Sequence, residues 1–247
     1  MPQISNKTAD YKLTIVIPFK DERDNVAALE ERLAAYLPLC HAAPACVLFV
    51  NDGSTDGGDA LIREACLRHK DFFYADLECN NGLSGALKAG FDLCQSELAG
   101  YLDADLQTAP EDFDLLLDAM GDHALSQGIR TGRKDGPIKR ISSKIANSWR
   151  RMMTGDGATD TCCPLKVIRS EYARQLPLFK GMHRFIPALV LMMGGTYCQT
   201  PVRHFPRTAG KAKYHLGNRL AGPFFDCFAY RWMRSRYTSN QIKDTNL

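Results

Sequence analysis

No apolar run in this 247-residue chain is long enough to cross a bilayer. The longest, Phe185 to Gly195, falls well short of the roughly 20 residues that a spanning helix needs. The nine cysteines form no C-x-x-C pair and make an odd count, which argues against structural zinc and against a disulfide framework. No secretory segment leads the sequence, so a reduced, cytoplasmic protein is the expectation. A strand followed by G-x-G-x-x-G is missing, which argues against a dinucleotide oxidoreductase. Internal repeats and low-complexity tracts are absent, and the aromatics do not interleave with basic residues as a nucleic-acid stacking platform would require.

Charge is present but unevenly placed. Residues 1–129 hold 9 Lys+Arg against 22 Asp+Glu, a formal −13; residues 130–247 hold 22 against 6, a formal +16, and the chain nets +3. The basic half therefore suits an anionic partner such as a phosphate or a lipid head group. The length fits one domain with an appended segment. We expect a main domain over residues 1–215, ordered from about residue 12, and an amphipathic helix with a polar tail over 216–247.

Lys12 to Pro18 is a β-branched run ended by proline and predicts a buried strand. Asp21 reads as the cap of a helix carrying Val26, Leu29, Leu33 and Leu37 at three- and four-residue steps. A second strand, Ala45 to Val50, runs into Asn51-Asp-Gly-Ser-Thr-Asp56, rich in oxygen ligands and turn residues. Residues 61–67 read as helix and Phe72 to Leu77 as a third strand. Asn80-Asn-Gly82-Leu-Ser-Gly85 then opens a helix whose N–H groups can approach an anion, although glycine there also has a purely steric reading. Leu98 to Leu102 is a fourth strand. This alternation predicts an α/β protein with a mostly parallel sheet covered on both faces. Further on the pattern predicts a strand at 124–131, a basic helix at 139–153, a return to the sheet at Val167 and Ile168, a short helix at 185–193 and a strand at 196–202. His183 and His204 lack metal-like spacing and read as packing or capping residues.

The fourth strand ends in Asp103-Ala-Asp105-Leu-Gln107. Carboxylates at i and i+2 of an extended strand end share a face and can hold one hard cation through oxygen. The same residues also fit a polar loop capping the next helix. Position favours chemistry, since ligands of open α/β sheets collect at strand ends.

With these pieces in order the chain resembles the family 2 glycosyltransferases of the GT-A fold, within them the polyprenyl-phosphate sugar synthases typified by dolichyl-phosphate mannose synthase. The likeness covers residues 12 to 235. It rests on Ile17-Pro18 with Glu22 and Asn25, Asn51 to Asp56, Asn81-Gly82 and Asp103-x-Asp105-x-Gln107. Gly132-Arg133, Lys139-Arg140 with Ser142-Ser143, Asp160-Thr161, Gly181 to Phe185, and Arg207 with Gly210, Lys213 and Tyr214 follow. The resemblance implies an inverting transfer of a sugar from a UDP- or GDP-sugar to an undecaprenyl- or dolichyl-type phosphate at the cytoplasmic membrane face. It implies that Pro18, Glu22, Asp52, Ser54, Asn81, Gly82, Asp103, Ala104 and Asp105 hold the nucleotide sugar, and that Asp103, Asp105 and Gln107 hold Mg²⁺ or Mn²⁺. Arg133, Arg140, Ser143, Arg184 and Lys213 match phosphate-binding positions, and guanidinium forks suit phosphate oxygens. Asp103 and Asp105 are the catalytic expectation, joined by Asp160 as general base if the acceptor is a hydroxyl. Transfer to a sugar or lipid hydroxyl, or an inactive nucleotide- or membrane-binding relative, is the alternative.

Asn51, Cys162 and Ala212 stand where the family often has Asp, Gly and Ser, with Asp52 left to carry the first contact, and Cys79-Asn80 stands where it often has Arg, so one phosphate or base contact of the family lacks its usual residue. The pair of C-terminal membrane helices of many relatives has no counterpart in the sequence. Lipid access then falls to residues 223–236, where Pro223 suits a first turn and Phe224, Phe225, Phe228 and Trp232 share a face. Asp226, Arg231 and Arg234 lie largely off it. Such a helix suits peripheral attachment to an anionic surface, while packing of the stripe on the domain is the competing reading.

Overall fold

Thr14, Val16 and the other residues of Leu13–Phe19 (β1) are buried without exception, as are all seven of Ala45–Asn51 (β2), because both faces of these strands are covered. The computed structural model describes residues 7–131, 137–206 and 221–238, with backbone alone for 137–145 and 221. Within them Phe72–Asp76 (β3), Leu98–Tyr101 (β4), Leu125–Arg130 (β5), Lys166–Arg169 (β6) and Tyr197–Val202 (β7) complete a seven-stranded sheet of order β3-β2-β1-β4-β6-β5-β7. β1, β2, β3 and β4 pair in parallel, as do β5 and β7; β6 runs antiparallel to both of its neighbours. The sheet is therefore mostly parallel with one reversed strand, and the C-terminal ends of β1, β2, β4 and β5 share an edge.

The helices are Val26–Tyr36 (α1), Gly58–Arg68 (α2), Gly82–Leu93 (α3), Phe113–Met120 (α4), Pro137–Thr154 (α5), Ser170–Gln175 (α6), Ile186–Met192 (α7) and Ala221–Arg236 (α8). Strand alternation sorts them into two layers. Leu13, Ile15, Ile17 and Phe19 meet α1, α2 and α4 on one face. Val16, Leu48 and Val50 meet α3, α6, α7 and α8 on the other. A Cβ on Gly90 of α3 would stand 2.3 Å from Val16 Cγ1, so glycine is what lets this helix lie against the strands.

Two local expectations change. Asp21 does not cap α1: its backbone is left-handed (φ 47°), and its carboxylate accepts Thr55 N at 2.7 Å, tying the start of α1 to the 51–56 turn. Helix α6 was not foreseen, because Ser170–Gln175 is one and a half turns with little apolar periodicity.

α8 settles against the domain on Cys227 and Tyr230, both buried, with Tyr230 OH donating to Ala188 O at 3.1 Å. The aromatic stripe lies on its other side. Trp232 is 68% and Phe225 67% exposed, while Phe224 stacks on Trp149 of α5 with ring centroids 4.9 Å apart. The helix thus packs through one face and presents the other.

Candidate active site

Asp52 begins the turn after β2. Its N–H donates to Phe19 O at 3.0 Å, which draws the ends of β1 and β2 together beside Pro18. Its buried carboxylate accepts Asn81 N at 2.7 Å, pulling in the turn that starts α3 at Gly82. Asn51 Oδ1 accepts Ser54 N at 2.9 Å, and Ser54 Oγ accepts Asp21 N at 3.1 Å. Glu22 accepts Asn25 Nδ2 at 2.7 Å on the same side, where Asp56 accepts Arg23 N at 2.8 Å. Pro18, Glu22, Asp52, Ser54, Asn81 and Gly82 therefore line one connected set of turns.

The carboxylate pair occupies a turn beyond β4, not the extended strand end that the i, i+2 argument assumed: the strand stops at Tyr101 and Leu106 has φ 55°. The two carboxylates nonetheless act on each other. Burial, then the charge of Asp105, raises the Asp103 pKa to about 6 against the opposing pull of Tyr101, Lys166 and Arg130. Tyr101 OH donates to Asp103 Oδ1 at 2.7 Å, and Asp105 Oδ1 accepts Gln107 N at 3.1 Å. Ala104 is buried between them. The Gln107 amide donates to Phe205 O at 3.4 Å, while Phe205 N and His204 Nδ1 donate to Gln107 O at 2.9 and 3.1 Å. The capping expected of His204 thus falls on the carboxylate turn itself.

Two carboxylates in mutual repulsion and one amide oxygen are hard donors of the kind that suit Mg²⁺ or Mn²⁺ when substrate oxygens complete the shell. Among the described residues no three His, Cys, Asp or Glu side chains converge as a complete metal centre. The donor set fits a cation held jointly with substrate.

Behind Asp103 lies Lys166, which the sequence reading passed over. It is fully buried, its ammonium donates to the carbonyls of Thr161 and Cys163, and it lies 5.4 Å from the Tyr101 ring centroid. Burial lowers its pKa, opposed by Asp160 and Asp103 among others. Beside it Arg130 grips Asp160 with two bonds of 2.8 Å from Nε and Nη2. The available signal was a lysine opening a strand that otherwise reads Val-Ile.

On the basic side, Arg184 lies in the turn Met182–Phe185, partly exposed. Arg133 and Lys213 lie outside the described residues, as do Arg207, Gly210 and Tyr214. Arg140 and Ser143 belong to α5, but their side chains are likewise outside. His183 Nδ1 lies 2.8 Å from Ser84 Oγ of α3.

This sheet order, with its single reversed strand and a carboxylate turn after β4, is that of the GT-A-like fold. A mannosyltransferase from Pyrobaculum calidifontis, solved with GDP-Man and Mn²⁺, matches with TM-score 0.62 at 15% identity over 92% of this chain and 70% of its own. Glucosyl-3-phosphoglycerate synthase from Mycobacterium tuberculosis, solved with Mn²⁺, UDP and glucosyl-3-phosphoglycerate, matches with TM-score 0.66 at 12% identity over 96% and 85%. Residues 14–176 fit the model of glycosyl transferase family 2, and the chain belongs to that family.

Among curated relatives, the undecaprenyl-phosphate 4-deoxy-4-formamido-L-arabinose transferase of Edwardsiella ictaluri is 31% identical over 85% of this chain and 65% of its own length. The dodecaprenyl-phosphate galacturonate synthase of Rhizobium johnstonii is 32% identical over 83% and 62%. The chain thus spans just under two thirds of these relatives.

Proposed function

We propose that this family 2 glycosyltransferase moves a sugar from a UDP- or GDP-sugar to a polyprenyl phosphate, with inversion, at the cytoplasmic face of a membrane. The names of the relatives support a polyprenyl phosphate acceptor. The observation that carries the choice of phosphate over hydroxyl is the pair Arg130–Asp160. A hydroxyl acceptor needs a base. Asp160, the candidate, has both oxygens bonded by the Arg130 guanidinium and one also by the Arg130 N–H, so they are committed to Arg130 rather than to a substrate hydroxyl. A phosphate monoester oxygen is already anionic near neutral pH and attacks the anomeric carbon unaided. Asp160 then serves to hold Arg130.

In this reading Pro18, Glu22, Asp52 and Ser54 receive the nucleoside, and Asn81 and Gly82 border its diphosphate. Asp103, Asp105 and Gln107 hold Mg²⁺ or Mn²⁺, which when bound neutralises charge gathering on the departing diphosphate. Ala104 closes the turn against the sugar. Arg184, with Arg133, Arg140, Ser143 and Lys213, takes the acceptor phosphate. The exposed stripe Phe224, Phe225, Phe228 and Trp232, flanked by Arg231 and Arg236, rests on the membrane. Among the described residues no helix is long and apolar enough to cross it.

The test is incubation of the protein with labelled UDP- and GDP-sugars, Mg²⁺ or Mn²⁺, and polyprenyl phosphate in membranes, followed by organic extraction. Label entering the organic phase only with the phosphorylated lipid is expected. Equal transfer to the unphosphorylated polyprenol would overturn the acceptor assignment.

A further inference from the structure

Ser84, in the first turn of α3, has one hydroxyl hydrogen to give. Its oxygen already receives two backbone donors, Gly181 N at 3.1 Å and His183 N at 3.3 Å. The hydrogen therefore goes to the remaining neighbour, His183 Nδ1, at 2.8 Å. A ring nitrogen that accepts carries no proton, so His183 is a neutral imidazole with its hydrogen on Nε2. Burial, then the charges of Arg184 and Lys166, act in the same sense and push its pKa down to about 3. That Nε2–H makes no hydrogen bond among the described residues. His183 is half-buried and its Nε2 is not sealed from solvent, so a ligand oxygen can reach this fixed donor by displacing water.

We propose that His183 binds a phosphate oxygen of a substrate through Nε2–H. The surroundings select that chemistry. Arg184 follows it in the chain, and Lys166, whose charge reaches His183, also acts on Asp103. Ser84 fixes the ring three residues beyond Asn81, whose N–H is held by Asp52. A neutral donor beside two cations adds a directed bond to an anion without adding to their repulsion. The oxygen belongs to the donor diphosphate or to the acceptor phosphate, which share this chemistry. The proposal rests on the glycosyltransferase reading and adds a residue to it.

The experiment compares the 247-residue protein with His183→Asn, His183→Gln and Ser84→Ala. Asn places its amide where Nδ1 lies, whereas Gln reaches the Nε2 position and keeps a donor there. Nitrogen-15 histidine NMR is expected to show the Nε2–H tautomer in the parent and its loss of fixation in Ser84→Ala. The Nε2–H signal should move on addition of UDP or GDP with Mg²⁺ if the donor is bound, or of a short-chain prenyl phosphate if the acceptor is bound. In turnover, His183→Asn should lower kcat/KM for that same substrate by about 10- to 100-fold, with His183→Gln restored to within about threefold. An Nδ1–H tautomer, a signal indifferent to all three phosphates, or a Gln variant as impaired as Asn would overturn the proposal. The NMR reading needs no turnover, so a parent that transfers no sugar sinks the functional assignment while the resonance still decides the phosphate contact.

Discussion

Residues 13–101 supply β1 to β4 and residues 125–202 supply β5 to β7 of one sheet, and their turns hold charged side chains by different means. In the first, carboxylates are held by backbone N–H groups: Asp52 by Asn81, Asp56 by Arg23 and Gly58, Asp21 by Thr55. In the second, cations are held by carbonyls and by carboxylates: Lys166 by Thr161 and Cys163, Arg169 by Gly121 and His123, Arg150 by Ala158 and Asp156, Arg130 by Asp160. Backbone dipoles fixed in turns solvate a buried charge without recruiting a mobile counter-ion. The edge between the stretches is thus walled by acceptors on one side and cations on the other. The proposed donor, a nucleotide diphosphate sugar with a divalent cation, suits that division.

The comparison breaks most visibly at the carboxylate turn. Asp105→Ala is expected to lower turnover by about 10²- to 10³-fold, the scale of losing one principal contact to developing charge, with thermal unfolding little changed. Full activity in excess EDTA would remove the metal from the account. On the cationic side, Arg184→Ala and Arg140→Ala should each raise the acceptor KM by roughly 10- to 100-fold, the scale of losing a charged hydrogen bond. Arg63→Ala, which removes an exposed partner of Asp76, should leave kinetics alone. Wild-type kinetics in both clamp variants would erase the contrast.

The pH dependence follows from Asp103. Its carboxyl titrates near 6 in the folded chain against 3.8 for the ordinary group. The resulting contribution to stability is present below about pH 4 and is lost as pH rises through 6. A bound cation reverses that loss, because it requires the ionised form. Mn²⁺ should therefore raise Tm more at pH 7 than at pH 5, with affinity falling up to about tenfold per unit below pH 6. Equal shifts at both pH values would disconnect Asp103 from the cation. The smallest effect is expected at α8. Replacing Phe224 and Trp232 together by serine should reduce co-sedimentation with anionic vesicles at low salt and barely move Tm. If the parent stays in the supernatant, or the double variant binds as well, this face is not the anchor.

Where the chain is continuous in its signal, the sequence was readable. β1 and β2 announced themselves as apolar runs closed by Pro18 and Asn51, and α1 by its spacing of Val26, Leu29 and Leu33. The Asp103–Gln107 turn stood out because polar residues abruptly end such a run. Asp21 misled because an acidic residue before a helix normally caps it, whereas the left-handed backbone turns this one toward Thr55. Lys166 was invisible because a lysine beginning a strand ordinarily faces water. Only the antiparallel insertion of β6 between β4 and β5 seals it in. His183 read as packing because its partner, Ser84, lies 99 residues away.

The reversed strand also dictates an order of manufacture. β5 and β7 join β1 to β4 only through the four residues of β6, and Gln107 waits for a partner, Phe205, made 98 residues later. A nascent chain emerging from the ribosome can close the Asp52–Asn81 turns long before Lys166 slides in behind Asp103 or Asp160 reaches Arg130. Stalled chains cut off near residue 130 should resist protease over β1 to β4 and yet transfer no sugar. On the proposed reading, the edge that faces the nucleotide can form early in translation, and transfer waits until β7, the last strand among the described residues, has joined the sheet.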